Sequence, residues 1–271
     1  MSDEPFPFIE LPAGRSRAKP RRVGLTMMCD FGLTLESTES VLGLSGRFTD
    51  FAKIAVGTAR LYERPYLLRK LQAYKAHQVR PFIGGQFAEY VFATQGRQAL
   101  PRFFKEAVSL GFDTIEISDN CVPLTDADRV ELTKLALDAG LKVFGEVGSK
   151  DERTSAAAMI DQAGVWFGAG CELVLVEAAE FVADGDLDME LVHAVLGGLD
   201  MSRVMIELPG PWISGVTLSR VYDMRKLLIQ AFGPDVNMAN VKPEDVFDTE
   251  ALRVGLGVVG PKELSHAGER L

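Results

Sequence analysis

Acidic side chains at recurring positions carry the chemistry legible in this chain. Asp30, Asp119, Glu146, Glu177 and Glu207 each stand at or just beyond the end of a short apolar run, and Glu180 follows Glu177 closely. Two more charges, Lys53 in FAKIAV and Glu116 in TIEIS, interrupt runs that are otherwise apolar. A single lysine, Lys150, joins the acidic set through the stretch KVFGEVGSKD at residues 142–151. Several carboxylates facing few cations relieve their repulsion by holding protons or by binding a hard cation. An oxygen-only donor set, without histidine or cysteine, favours Mg²⁺ over zinc. The histidines offer no alternative: His77 and His193 fall in helical segments and His266 in a polar tail, so no Ser–His–Asp arrangement is available.

Positioning such a set requires a scaffold that repeats. Apolar runs at residues 23–29, 51–56, 79–83, 114–117, 142–145, 172–176, 204–206 and 235–239 read as eight strands. Their end residues, Asp30, Gly57, Gly84, Asp119, Glu146, Glu177, Glu207 and Asn237, lie 27 to 35 residues apart. That interval holds one strand, one helix and two short loops. Helical patterns occupy 60–77, 98–110, 126–139, 154–169, 188–196, 217–232 and 243–256. Thr125 with Asp128 forms a weak capping box ahead of the third of these, and Gly140 ends it. Eight alternations with right-handed crossovers predict a single-domain (β/α)8 TIM barrel over 21–259. Residues 1–20, with four prolines, read as an arm that is flexible or lies on a surface, and 260–271 as a polar tail. An open doubly wound sheet is disfavoured because CDFGLTL lacks the GxGxxG that follows its first strand.

In such a barrel the acidic residues gather at the carboxyl face of the strands, where barrel active sites lie. Lys53 must then point into the barrel or against the helices, and either position requires a carboxylate partner. The glycine pair Gly84–Gly85 allows close backbone approach to a ligand. Asn237 and Asn240 offer amide donors where barrels often hold an anion.

Composition narrows the classes. The chain has 271 residues, 47% of them hydrophobic, and a formal net charge of -9. That charge argues against coating nucleic acid or an anionic membrane surface. Cys29, Cys121 and Cys171 form no CxxC pair, which excludes a disulfide framework and fits a reducing cytoplasm. The amino-terminal stretch has no apolar core of a signal peptide, and no run reaches the roughly 18 residues of a membrane span. Barrels commonly self-associate through outer helices, so a homo-oligomer is expected.

The chain resembles the phosphosulfolactate synthase family from about Lys19 to Leu256. The matching segments are KPRRVGLTMMCDFG, DFAKIAVGTARLY, the GG of PFIGGQFAE, FDTIEISD, KVFGEVGSKD, LVLVEAAE, MIELP, FGPDVNMANVKPEDV and ALRVGL. The resemblance implies a (β/α)8 barrel lyase that adds sulfite to phosphoenolpyruvate with Mg²⁺, on the route to coenzyme M. It implies a small anionic carboxylate substrate, metal ligands drawn from Asp30, Glu116, Asp119, Glu146 and Glu177, and catalytic roles for Lys150, Lys53 and Glu207. Lys150 is the candidate general acid. Gly57, Thr58, Gly84, Gly85, Gln86, Asn237 and Asn240 would contact the substrate. Plant heat-stress-associated proteins share the family, so a non-catalytic or stress-associated relative is the alternative. The chain departs from the family pattern at Phe31, Gln86, Ser149, Ala179 and Gly257, up to four of which replace a cation. Phosphate recognition leans on Arg and Lys, so these changes imply weaker binding of a phosphorylated substrate.

Overall fold

The computed structural model describes residues 4–12, 14–148, 154–183, 186–213 and 215–258. Eight parallel strands close into a barrel: β1 (Thr26–Asp30), β2 (Phe51–Ile54), β3 (Arg80–Ile83), β4 (Thr114–Ile117), β5 (Lys142–Val147), β6 (Leu173–Glu177), β9 (Val204–Glu207) and β10 (Met238–Val241). A short antiparallel pair, β7 (Val182–Ala183) and β8 (Asp186–Leu187), is inserted after β6. The ring closes by pairing β10 with β1. Both faces of each strand are covered, which is why the strands read as nearly continuous apolar runs.

Alternation along the strands sorts two cores. Outward residues such as Met28, Ile54, Ile115, Val143, Val174 and Ile206 pack under the helices. Inward residues Met27, Phe51, Phe82, Phe144, Leu175, Met205 and Ala239 fill the barrel. Phe144 centres this plug, with its ring 5.2 Å from that of Phe51 and 5.1 Å from that of Phe82, both edge-on. Beneath it the Arg80 guanidinium lies 4.7 Å from the Phe51 ring and bonds Glu172 at 2.7 and 2.9 Å. The bottom of the barrel is thus sealed, and the inward positions one step higher on the strands remain for chemistry.

The surrounding helices are α1 (Leu35–Ser45), α2 (Arg64–Ala76), α3 (Gln86–Gln95), α4 (Leu100–Ser109), α5 (Asp126–Asp138), α6 (Ala156–Ala169), α7 (Met189–Gly198), α8 (Leu218–Phe232) and α9 (Val246–Arg253). Both bonds of the Thr125–Asp128 capping box form, and Gly140 takes φ 94° just past α5. Two helices escape a hydrophobic-stripe reading of the sequence. In α1 the buried positions are Thr38, Leu42 and Ser45, and in α3 they are Ala88, Glu89 and Val91. Neither set makes a continuous apolar face.

The amino-terminal arm lies on the bottom of the barrel. Arg15 is buried, pairs with Glu250 at 2.8 Å and Asp235 at 3.1 Å, and donates to the Gly24 carbonyl. The last barrel strand corrects the expected span of 235–239. It begins at Met238, so Asn237 precedes it, and a bulge sets Thr26 opposite Met238 but Met28 opposite Val241. The extra residue gives Asn240 a φ of 57°, a left-handed conformation that asparagine tolerates better than most side chains.

Candidate active site

Above the aromatic plug sit Cys29, Lys53, Glu116, Glu146, Glu177 and Glu207, all buried. Each lies two positions beyond another inward residue of its strand, Thr114 in the case of Glu116, so strand alternation alone directs them into the barrel. Lys53 bridges two of the carboxylates, its Nζ 2.9 Å from Glu116 Oε2 and 2.7 Å from Glu207 Oε1. Burial by itself would lower the Lys53 pKa, but attraction from Glu116 and Glu207 outweighs it and holds the ammonium well above its usual range.

Glu146, Glu177 and Glu207 converge, each offering an oxygen within 4.8 Å of the others. Glu177 and Glu207 end β6 and β9 and are direct register partners, and Glu146 is the penultimate residue of the neighbouring strand β5. Burial pushes the Glu146 carboxyl well above its usual range, and repulsion from Glu207, Glu116 and Glu177 adds to this against the opposing pull of Lys53. Glu116 is raised chiefly by burial, with Lys53 opposing and Glu207 reinforcing. Among the described residues, these four buried carboxylates face one buried ammonium. This excess of acceptor oxygens suits a hard divalent cation, and no histidine or thiolate stands among the three converging ligands.

The strand-end loops complete the mouth. Asn120, beyond β4, donates from Nδ2 to Glu146 Oε2 at 2.7 Å. Trp166 of α6 donates to the Glu146 carbonyl at 2.9 Å, and Gly145 makes room for it: a Cβ there would lie 2.4 Å from the indole. Lys242 follows β10 immediately, half-buried, at the carboxyl end of that strand. Phe31 beyond β1 and Trp212 beyond β9 are about half exposed, and their ring centroids lie 5.4 Å apart.

Not every expected residue takes part. Asp30 is correctly placed at a strand end but points outward. Its Oδ2 meets Lys70 at 2.7 Å and the Tyr74 hydroxyl at 2.6 Å, while Oδ1 accepts from Gly32 and Leu33 at 2.8 Å. It ties β1 to α2 and is not a ligand beside Glu146; Asp30 follows Cys29, and the pleat sends only Cys29 inward. Asn237 is corrected too. It lies at the amino-terminal end of the barrel, accepting from Leu25 N at 2.9 Å and donating to Val204 O at 2.9 Å. Asp119 pairs with Arg129, which also holds Asp126 at 2.6 Å. The Thr58 hydroxyl bonds the Ala55 carbonyl at 2.7 Å within the turn after Gly57. Gly84 and Gly85 follow β3 directly, and Gln86 Nε2 contacts Cys121 Sγ at 3.8 Å. Lys150, like Ser149, lies outside the described residues.

Sequence reasoning missed Asn120 and Lys242. Asn120 stood in plain view in ISDN, with neither charge nor periodicity to mark it. Lys242 was hidden because the last strand was placed three residues too early. His77, just past the end of α2 rather than within a helix, and His193, on α7, are both exposed.

A closed eight-stranded parallel barrel with a buried, lysine-bridged acidic cluster on its carboxyl side defines a (β/α)8 protein with an enzyme-type site. The sequence profile described as (2R)-phospho-3-sulfolactate synthase (ComA) matches residues 14–258, and the chain belongs to that family. It is 30% identical to the phosphosulfolactate synthase of Methanothermobacter thermautotrophicus, over 93% of this chain and 95% of that protein. It is 29% identical to the phosphosulfolactate synthase of Bacillus subtilis, covering 92% and 95% of the two chains. It is also 22% identical to Protein HEAT-STRESS-ASSOCIATED 32 of Arabidopsis thaliana, over 87% of each. Among the described residues no helix is long and apolar enough to cross a membrane.

Proposed function

We propose that the chain is a Mg²⁺-dependent lyase of phosphosulfolactate synthase type, joining sulfite to the methylene carbon of phosphoenolpyruvate. The observation that carries this reading is the convergence of Glu146, Glu177 and Glu207 within 4.8 Å, beside a lysine-bridged carboxylate pair. These three residues would hold the ion. When bound, it supplies Lewis-acid stabilisation of negative charge developing next to the substrate carboxylate.

The chain's own groups supply the rest. Lys53 fixes Glu207 and Glu116 in place and offsets their charge. Asn120 fixes the orientation of Glu146 through its amide. Asn240 of β10 and Lys242 just after it are assigned to an anionic substrate group, as donor and cation. Lys150 is assigned proton delivery to the carbon beside the carboxylate, on its position in KVFGEVGSKD. Each charge-assisted phosphate contact is worth roughly 1.5–3 kcal/mol, so replacing cations by Phe31, Ala179 or Gly257 implies an elevated KM for phosphoenolpyruvate.

The test is incubation of the protein with phosphoenolpyruvate, sulfite and Mg²⁺, following the sulfonated product by mass spectrometry. Product that depends on Mg²⁺ and disappears in Glu177→Gln and Lys150→Ala is expected. No product at high enzyme, with Lys150→Ala giving the same trace, overturns the assignment. The likeness to the heat-stress-associated protein supports a second reading, a family member without this activity, and that negative result would favour it.

A further inference from the structure

Glu89 has no place in the reaction proposed above, yet it is a buried carboxylate one loop away from it. It sits in the first turn of α3, only 5% exposed. Its Oε1 accepts from the Ser118 hydroxyl, and its Oε2 from the backbone N–H groups of Cys121 and Val122, the last at 2.9 Å. These three uncharged donors all belong to the segment leaving β4. The two elements are also pressed together, because a Cβ on Gly85 would come within 2.2 Å of Ser118 Oγ. Between the clamped residues Ser118 and Cys121 lies Asn120, whose amide donates to Glu146.

We propose that Glu89 is a positioning residue: its carboxylate clamps the 118–122 loop so that Asn120 holds the Glu146 side chain in the orientation needed at the acidic cluster. Burying a carboxylate is costly, and three donors make it tolerable. The same three bonds fix both ends of a short segment, leaving Asn120 little freedom. Loss of Glu89 frees the loop, and Glu146 then loses the group that aims it. Groups that orient a metal ligand typically contribute 10–100-fold to metal affinity.

The inference rests on the cluster as a cation site, and the test separates the two. Mn²⁺ binding to the full chain is measured by electron paramagnetic resonance at a temperature where every variant is folded by circular dichroism. Asn120→Ala and Glu89→Ala are each expected to weaken binding about 10–100-fold, with the double variant no weaker than either single one. Glu89→Gln should recover affinity to within about threefold, since its amide oxygen can accept from the two N–H groups and its NH₂ can donate to Ser118. Additive losses, or wild-type affinity in Glu89→Ala, overturn the proposal. If the wild type binds no Mn²⁺, the cation reading fails. Glu89 is then judged by a denaturation cycle, in which Asn120→Ala costs stability in the wild type but little in Glu89→Ala. Equal costs in the two backgrounds refute the clamp on its own terms.

Discussion

Replacing Lys53 by methionine keeps the length of the side chain and removes the charge that bridges Glu116 and Glu207. The side chains of those carboxylates are 4% and 3% exposed, so solvent cannot take over the neutralisation. Breaking a buried ion pair by removing one partner costs about 3–5 kcal/mol. For a chain of this size that is a fall of roughly 6–20 °C in melting temperature. The loss should depend on pH, and its sign follows from linkage. Glu116 and Glu146 already have raised pKa values, mainly from burial, with Lys53 pulling both down. Without the lysine both rise further. A carboxyl group raised in the folded state contributes its full stability below the unfolded value of about 4.3 and loses it as pH climbs through the folded one. The deficit of Lys53→Met relative to wild type should therefore be small near pH 5 and largest near pH 8. Thermal unfolding at both pH values measures it. A deficit that is equal at the two pH values, or a melting shift below about 2 °C at pH 8, would refute this account of the bridged pair. Adding Glu116→Gln and Glu207→Gln to Lys53→Met should recover much of the lost stability, because the uncompensated charges are then gone.

Two further substitutions separate residues that share the acidic or polar signature of the site but lie elsewhere. Asp30→Asn should cost about 3–5 kcal/mol by stranding the buried ammonium of Lys70, while leaving Mn²⁺ affinity within about threefold of wild type; tenfold weaker binding would return Asp30 to the cluster. Asn237→Ala should destabilise by about 2–4 kcal/mol, since it strips partners from Leu25 N–H and Val204 C=O at the bottom of the barrel. Urea unfolding reads this loss, and a change below about 0.5 kcal/mol would show that the side chain does not brace that end.

The repeating strand and helix pattern makes the barrel legible in the sequence itself. A period of 27 to 35 residues leaves little else that a chain of this composition can build. The same pattern announced Glu146, Glu177 and Glu207, because a carboxylate that ends an apolar strand is visible without knowing the neighbours. Lys53 and Glu116 were legible for a related reason, since a charge inside such a strand demands a partner. Which partner it finds is a matter of register between strands far apart in sequence, and Lys53 and Glu207 are separated by 154 residues.

What the sequence left open came down to one residue of phase. Cys29 and Asp30 are adjacent, and only the pleat decides that the thiol enters the barrel while the carboxylate turns to Lys70. At β10 the bulge shifts the phase again, moving Asn237 to the floor and Lys242 to the rim. Side chains that act through a loop, such as Asn120 on Glu146, leave no periodic trace, because the geometry of a loop is set by what anchors its ends. The sequence by itself determined the barrel, the family and the acidic character of its mouth, through local periodicity and residue type. The tertiary structure decided which acids meet, because convergence depends on strand phase and cross-barrel register that no local window contains.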